Sequence, residues 1–361
     1  MMSTSMSAGS DPAGERGAVA VIFAISLIAI MAIAVLTIDA GNLFFKRRAM
    51  VNGADAGALA AAQACARVSD TADPETLADT NATMNVSGLT ASNGGITQSV
   101  GCDVSPSGRV TVTYTKAEQN FFAQVLGFGS TTNVSATATA VWGAAGGANS
   151  PLPIVLNLGT LQGPCPVPGT QIGTVCYVWY DNDRFTPSNF GFMSLSQWNV
   201  ASSDTCDHAG GANDLQSWIA GSWIGPPLTL NYPAATYVCS LTGGASSAWA
   251  QAMGDIVADP DPLNHIKYFP VNDDAGEILN GPQIDKFDII GFAALSVDGV
   301  WKANKAPAEC YAVPNPPTNA SAYCMKVSWQ GYQAGGGTCC GGLDLGVREV
   351  RLCDPVLATC P

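Results

Sequence analysis

Residues 17–38 read GAVAVIFAISLIAIMAIAVLTI, and this stretch decides the architecture. It has no charged residue, and Ser26 and Thr37 are its only polar side chains. At 1.5 Å rise per residue, Ala18 to Ile38 extends about 30 Å, the thickness of a bilayer's hydrocarbon core. A buried helix of a water-soluble domain ordinarily keeps a polar face over such a length. The stretch therefore reads as a transmembrane helix, preceded by a short cytoplasmic tail, residues 1–16. The competing reading is a cleaved signal peptide, with Arg16 as its basic flank and Ala32-Ile33-Ala34 as its cleavage site. The apolar run continues past that site through Val35-Leu36-Thr37-Ile38, which favours the span.

Working outward, the helix is expected to continue beyond the membrane. After Asp39 and the basic triplet Lys46-Arg47-Arg48 comes AMVNGADAGALAAAQACA, residues 49–66, which is Ala-rich and a good helix former. Two rows of small residues run along it, Gly53/Gly57/Ala61 and Ala54/Ala58/Ala62, each spaced by four. Such rows allow a second helix to approach closely.

Composition sets the surroundings. The chain has 361 residues, a net charge of −13 and only 12% charged residues. The first 48 residues carry four basic and three acidic side chains, and the remainder 11 basic and 25 acidic. A body this acidic has no basic footprint for nucleic acid, which excludes DNA and RNA as partners. The 12 cysteines are accompanied by only two histidines, with no C-x-x-C pair, so disulfides are favoured over metal. Disulfides imply an oxidising space, the periplasm or cell exterior. The basic triplet outweighs Arg16 and argues for the opposite orientation. The cysteines carry more weight, so the expectation is N-terminus inside and body outside.

The order of features has a further meaning. Arg16-Gly17, the apolar helix, Asp39, Lys46-Arg47-Arg48 and then Asn52-Gly53-Ala54-Asp55-Ala56-Gly57-Ala58-Leu59-Ala60-Ala61 resemble the N-terminal region of TadE/TadG-like proteins of bacterial Tad (Flp) pilus assembly. A looser resemblance continues through Arg109–Tyr114, Phe121–Gly127 and Val134–Ala140 to Trp142. It implies a single-pass inner-membrane protein with an extracytoplasmic body, whose partners are the lipid bilayer and other transmembrane components of the pilus machinery. One family feature is missing. Processed pilin-like proteins carry Glu five residues after the cleavage glycine, whereas Ile22 follows Gly17 and Val19 follows Gly14 at that distance. The string D-x-S-x-S of a von Willebrand A metal loop occurs once, as Asp103-Val104-Ser105-Pro106-Ser107, but it overlaps the Ser105-Pro106-Ser107-Gly108 turn of an expected hairpin, and no metal-dependent adhesion site is carried over.

The expected fold class is α+β. The transmembrane helix continues into a pilin-like helix on a small antiparallel sheet (residues 39–143), followed by a linker (144–153) and a disulfide-rich, mainly β domain (154–361). Asp73-Pro74-Glu75 predicts an N-cap and a short helix to about Asn85. Ile96–Val104 and Arg109–Thr115 alternate around Ser105-Pro106-Ser107-Gly108 and predict a hairpin. Phe121–Leu126 suits a short helix, and Asn133–Trp142 another strand. Beyond the linker, strands are expected at Ile154–Leu158, Thr174–Tyr180, Asp288–Val297, Met325–Tyr332 and Gly346–Leu352. Helices are expected at Gln216–Ile219 and Ser246–Val257.

Cys65 and Cys102 precede the linker and are expected to bond, clamping the long helix to the sheet and contributing about 3–4 kcal/mol. Cys165–Cys176 and Cys353–Cys360 are local, geometrically easy pairs, and Cys206–Cys239 is a further candidate pair. Cys310 and Cys324 have no assigned partner, and adjacent Cys339 and Cys340 are expected to bond to separate partners. No catalytic, cofactor or metal site is expected. There is no G-x-S-x-G and no phosphate loop, and neither His208 nor His265 lies in a recognisable site string. Asp255, Asp259 and Asp261 read as a solvated acidic loop rather than calcium ligands. The tryptophans beyond the linker could line a glycan-binding face, but filling a thin core explains them better. The expected function is a membrane-anchored, non-enzymatic component of a Tad-type pilus or secretion apparatus. The alternative is an anchored surface protein that binds a glycan or protein ligand of unknown identity.

Overall fold

The structure, a computed structural model, describes residues 13–67, 73–89, 94–99, 107–122, 124, 127, 129–162, 172–180, 190–208, 211–222, 225–241, 247–273, 275–280, 283–313, 316–317, 319–331, 333–334 and 339–353. A single helix, α1 (Ala13–Ala66), takes in the apolar run, the basic triplet and the Ala-rich stretch without a break. Helix α2 (Pro74–Asn85) starts as the sequence predicts, with the Asp73 carboxylate accepting the Thr76 N–H at 3.0 Å and Pro74 opening the first turn. Strands β1 (Gly94–Ser99), β2 (Gly108–Gln119) and β3 (Thr131–Ala144) form an antiparallel meander against both helices. Val110, Val112 and Tyr114 face the helices and are buried. On the other face the hydroxyls of Thr111, Thr113 and Thr115 meet those of Thr139, Thr137 and Ser135 at 2.8–3.0 Å. The period-two pattern of the sequence thus has a packed face and a hydroxyl ladder.

The rest of the chain adds β4 (Gly147–Ala148), β5 (Ile154–Asn157), α3 (Leu158–Gln162), β6 (Val175–Tyr180), β7 (Phe190–Val200), α4 (Ala212–Ile219), β8 (Leu228–Thr229), β9 (Tyr237–Ser240) and α5 (Ser247–Ala258). It ends with β10 (Ile266–Asn272), β11 (Ile278–Asn280), β12 (Gln283–Lys302), β13 (Tyr323–Trp329), β14 (Gln333–Ala334), β15 (Leu343–Leu345) and β16 (Val347–Leu352). Pairing runs β10-β5-β7-β9-β12, and β12 returns to β10, so five strands close into a ring. The 20-residue β12 makes this closure by pairing with β9, β10 and β13 along successive parts of its length. Strand β6 extends the sheet beyond β13. The α+β class holds, with an N-terminal apolar helix followed by a mostly β body.

Two expectations are corrected here. Residues 144–153, read as a linker, are built into the fold: Ala145 is 2% exposed, β4 pairs with β8, and Leu152 is 5% exposed. Small residues explain it, because at Gly143 an added Cβ would lie 2.9 Å from Cys340, so the missing side chain allows close packing instead of flexibility. The last segment also crosses back to the first. Strand β16 pairs antiparallel with β3, placing Val350 opposite Trp142 and Leu352 opposite Ala140. The first sheet therefore reads β1-β2-β3-β16-β14 and draws on both ends of the chain.

Candidate functional site

The site with a functional signature is α1 and the surface that holds it. The large apolar side chains from Val19 to Ile38 are half or more exposed, except Val35, which is half-buried. No other part of the described chain covers them. Among the described residues this is the one helix long and apolar enough to cross a membrane. The first buried position along the described apolar run is Asp39, which is 7% exposed. Its carboxylate accepts the backbone N–H of Phe121 at 3.1 Å and of Phe122 at 3.0 Å. The β2–β3 loop that supplies these donors is closed by Asn120, whose N–H donates to the Ser130 carbonyl at 2.9 Å and whose Nδ2 donates to the Gly129 carbonyl at 2.7 Å. Two turns up the helix, Lys46 lies 3.8 Å from Glu118, which also pairs with Lys116 at 2.8 Å. Further up, Gly57 faces Tyr114. Strand β2 therefore runs alongside α1, with its loop at the end of the apolar span.

The small-residue rows lie beyond that point. Ala54, Ala58, Ala61 and Ala62 are fully buried, and Gly53 and Gly57 are buried with them. The helix these rows admit is α2 of the same chain. A Cβ at Gly53 would stand 2.7 Å from Val86 Cγ2 and 3.3 Å from the Ala82 carbonyl, and one at Gly57 would stand 3.1 Å from the Ala78 carbonyl. Side chains there would push the helices apart. The rows are thus occupied internally and are not left open to a second transmembrane chain.

Tyr114 joins the three elements, donating its hydroxyl to Asp79 of α2 at 2.9 Å beside Gly57. Burial, then the bond to Asp79, pushes the phenol well above the usual tyrosine range, so it stays a donor at any physiological pH. Asp55, within the N-x-A-D-A string, is half-buried, and this burial raises its carboxyl above the ordinary aspartate value.

The cysteines divide into three described pairs and three whose expected partners are not described. Cys206 bonds to Cys239, with Cα atoms 5.6 Å apart, and Cys310 to Cys324, at 6.2 Å. Cys339 and Cys340 bond to each other, which corrects the expectation of separate partners. The other described cysteines are all committed elsewhere, leaving these two neighbours for one another. Cys65, Cys176 and Cys353 are each disulfide-bonded. Cys102, Cys165 and Cys360, their expected partners, lie outside the described residues, as does half of the expected helix at Phe121–Leu126.

Elsewhere the remaining candidates are structural. Trp142, Trp179 and Trp249 are at most 1% exposed, and Trp198 and Trp329 at most 8%, so these rings fill core. Trp249 packs among Phe190, Phe192, Tyr180 and Tyr323, with ring centroids 5.1–6.2 Å apart. Asp259 accepts the Asp261 N–H, and Asp261 the Leu263 N–H, so both carboxylates shape the turn before β10. His208 sits between the Ser240 carbonyl (2.8 Å) and Asp285 (3.2 Å). Sequence reasoning missed the role of Asp39 as anchor of the β2–β3 loop. An isolated carboxylate directly after 22 uncharged residues was the available signal.

Comparison with known proteins agrees with this geometry. Residues 17–64 match the family model described as putative Flp pilus-assembly TadE/G-like. The N-terminal region, from the apolar helix through the small-residue rows, is thus similar to TadE/G-like pilus-assembly proteins. No curated protein matches the chain, and no solved structure does.

Proposed function

We propose that the protein is a membrane-anchored, non-enzymatic component of a Tad/Flp-type pilus assembly or secretion apparatus. Residues 18–38 cross the inner membrane once, the N-terminal tail stays in the cytoplasm, and the disulfide-rich body lies outside it. The observation that carries this reading is a coincidence of boundaries. The TadE/G-like match spans both the exposed apolar helix and the small-residue face on which the body is built. A continuous helix rigidly links the membrane to the extracytoplasmic mass, which suits a structural part of a machine. Bonding of every described cysteine fits an oxidising compartment.

With the small-residue rows filled by α2, contacts with other transmembrane components fall to the span itself, residues 18–38. Deleting the gene and imaging pili tests the proposal. Loss or gross shortening of pili, restored by the gene in trans, is expected. Unchanged piliation and adhesion would overturn it.

A further inference from the structure

Exposed phenylalanines are distributed unevenly over this molecule. Ten are described, and Phe190, Phe192, Phe269, Phe287 and Phe292 are at most 2% exposed. The five exposed ones are Phe23, inside the span, and Phe44, Phe45, Phe121 and Phe122, at 73%, 69%, 62% and 40%. Phe121 and Phe122 are distant from α1 in sequence, yet their N–H groups bond to Asp39, the residue after the apolar run ends. Phe44 and Phe45 stand five and six residues past Asp39 on the helix, about 8–9 Å further along its axis. All four residues thus fall within one band just beyond the span, and Arg47 and Arg48, both exposed, border it.

We propose that the tip of the β2–β3 hairpin is a membrane foot: Phe121 and Phe122 insert into the headgroup–acyl boundary of the leaflet on the side of the body. The inference rests on the reading of residues 18–38 as a membrane span, and adds a second contact of the body with the same bilayer. Lipid is the occupant because the band is continuous with the apolar surface of the span and fixed to its end by hydrogen bonds. Its depth is chemically consistent. Backbone cannot lie unpaired in hydrocarbon, but Phe side chains of interfacial segments bury into the headgroup–acyl boundary, and basic side chains there meet anionic headgroups. Two attachment points on one rigid body, helix and hairpin tip, restrict its tilt against the membrane.

Site-specific photo-crosslinking tests the foot. The full-length protein is reconstituted in mixed phosphatidylethanolamine and phosphatidylglycerol vesicles, with p-benzoylphenylalanine replacing Phe121, Phe122, Phe23 or Leu263 in separate variants. Leu263, 71% exposed, precedes β10, whose Tyr268 is within electrostatic reach of Arg67 at the far end of α1. Because Asp39 binds backbone groups of the loop, replacing either ring leaves those bonds in place. Lipid adducts at 121 or 122 approaching those at 23, and about tenfold or more above those at 263, are expected for rings at an interface. Adducts at 23 with only the 263 level at both 121 and 122 would overturn the foot and leave the span standing. No adducts at 23 would overturn the span and the foot together.

Discussion

Asp39 ties the β2–β3 loop to the helix where the apolar run ends. A carboxylate that accepts two backbone N–H groups makes strong hydrogen bonds, and bonds of this kind contribute about 1.5–3 kcal/mol each. Asp39→Ala is therefore expected to destabilise the detergent-solubilised protein by about 2 kcal/mol or more and to open the 120–130 loop to protease. Asp39→Asn keeps one acceptor and should lose less. Thermal unfolding with limited proteolysis checks both. Asp55 behaves in the opposite sense. Its carboxyl is raised by burial, so folding favours the protonated form. The stability this group contributes is present below the ordinary aspartate pKa of about 4 and is lost as pH rises through the raised folded value. Asp55→Asn should accordingly raise the melting temperature at pH 7, with the gain vanishing as pH falls below about 4. A gain independent of pH would show that desolvation of the carboxylate is not its cause.

At the scale of elements, α1 shows how one helix serves two solvents. Its first part presents apolar side chains all round, which suits lipid. Its last part narrows to glycine and alanine so that α2 and β2 can close on it. Gly57→Leu is expected to cost about 2 kcal/mol or more by wedging Ala78 and Tyr114 away. Gly41→Leu, at a position with nothing within 4 Å of an added Cβ, should cost nothing measurable. Melting curves of the two variants compare like with like within one helix.

These contrasts also mark what the sequence could reveal. The long apolar run, the Asp73 cap and the β2–β3 alternation were legible because each rests on local spacing. The closing ring was not. Strand β7 is buried on both faces over much of its length, so Phe190–Leu195 lacks the alternation of a half-covered strand. Strand β10 carries Pro270, which argues against a strand when read locally. The small-residue rows were visible as a packing surface, but nothing local said that α2, a few residues further on, would fill it.

On the scale of the whole molecule, the body is tied together from both ends. Strand β16 completes the sheet that α1 supports, so the first and last described segments share one core. Helix, hairpin and C-terminal strand thus form one packed unit. Arg348, fully buried at the start of β16, pairs with Asp344 at 2.8 Å and fixes that strand's entry. Such an arrangement makes orientation a property of the entire body. The basic triplet, read alone, favours a cytoplasmic body, whereas the disulfides favour an extracytoplasmic one. Both sit on the same side of the span, so only one can be right. A topology reporter decides this most directly. A reporter active only in the periplasm, fused after Pro361, should be active, and the same reporter fused near Ser10 should be silent. Activity at Ser10 with silence at Pro361 would contradict the account.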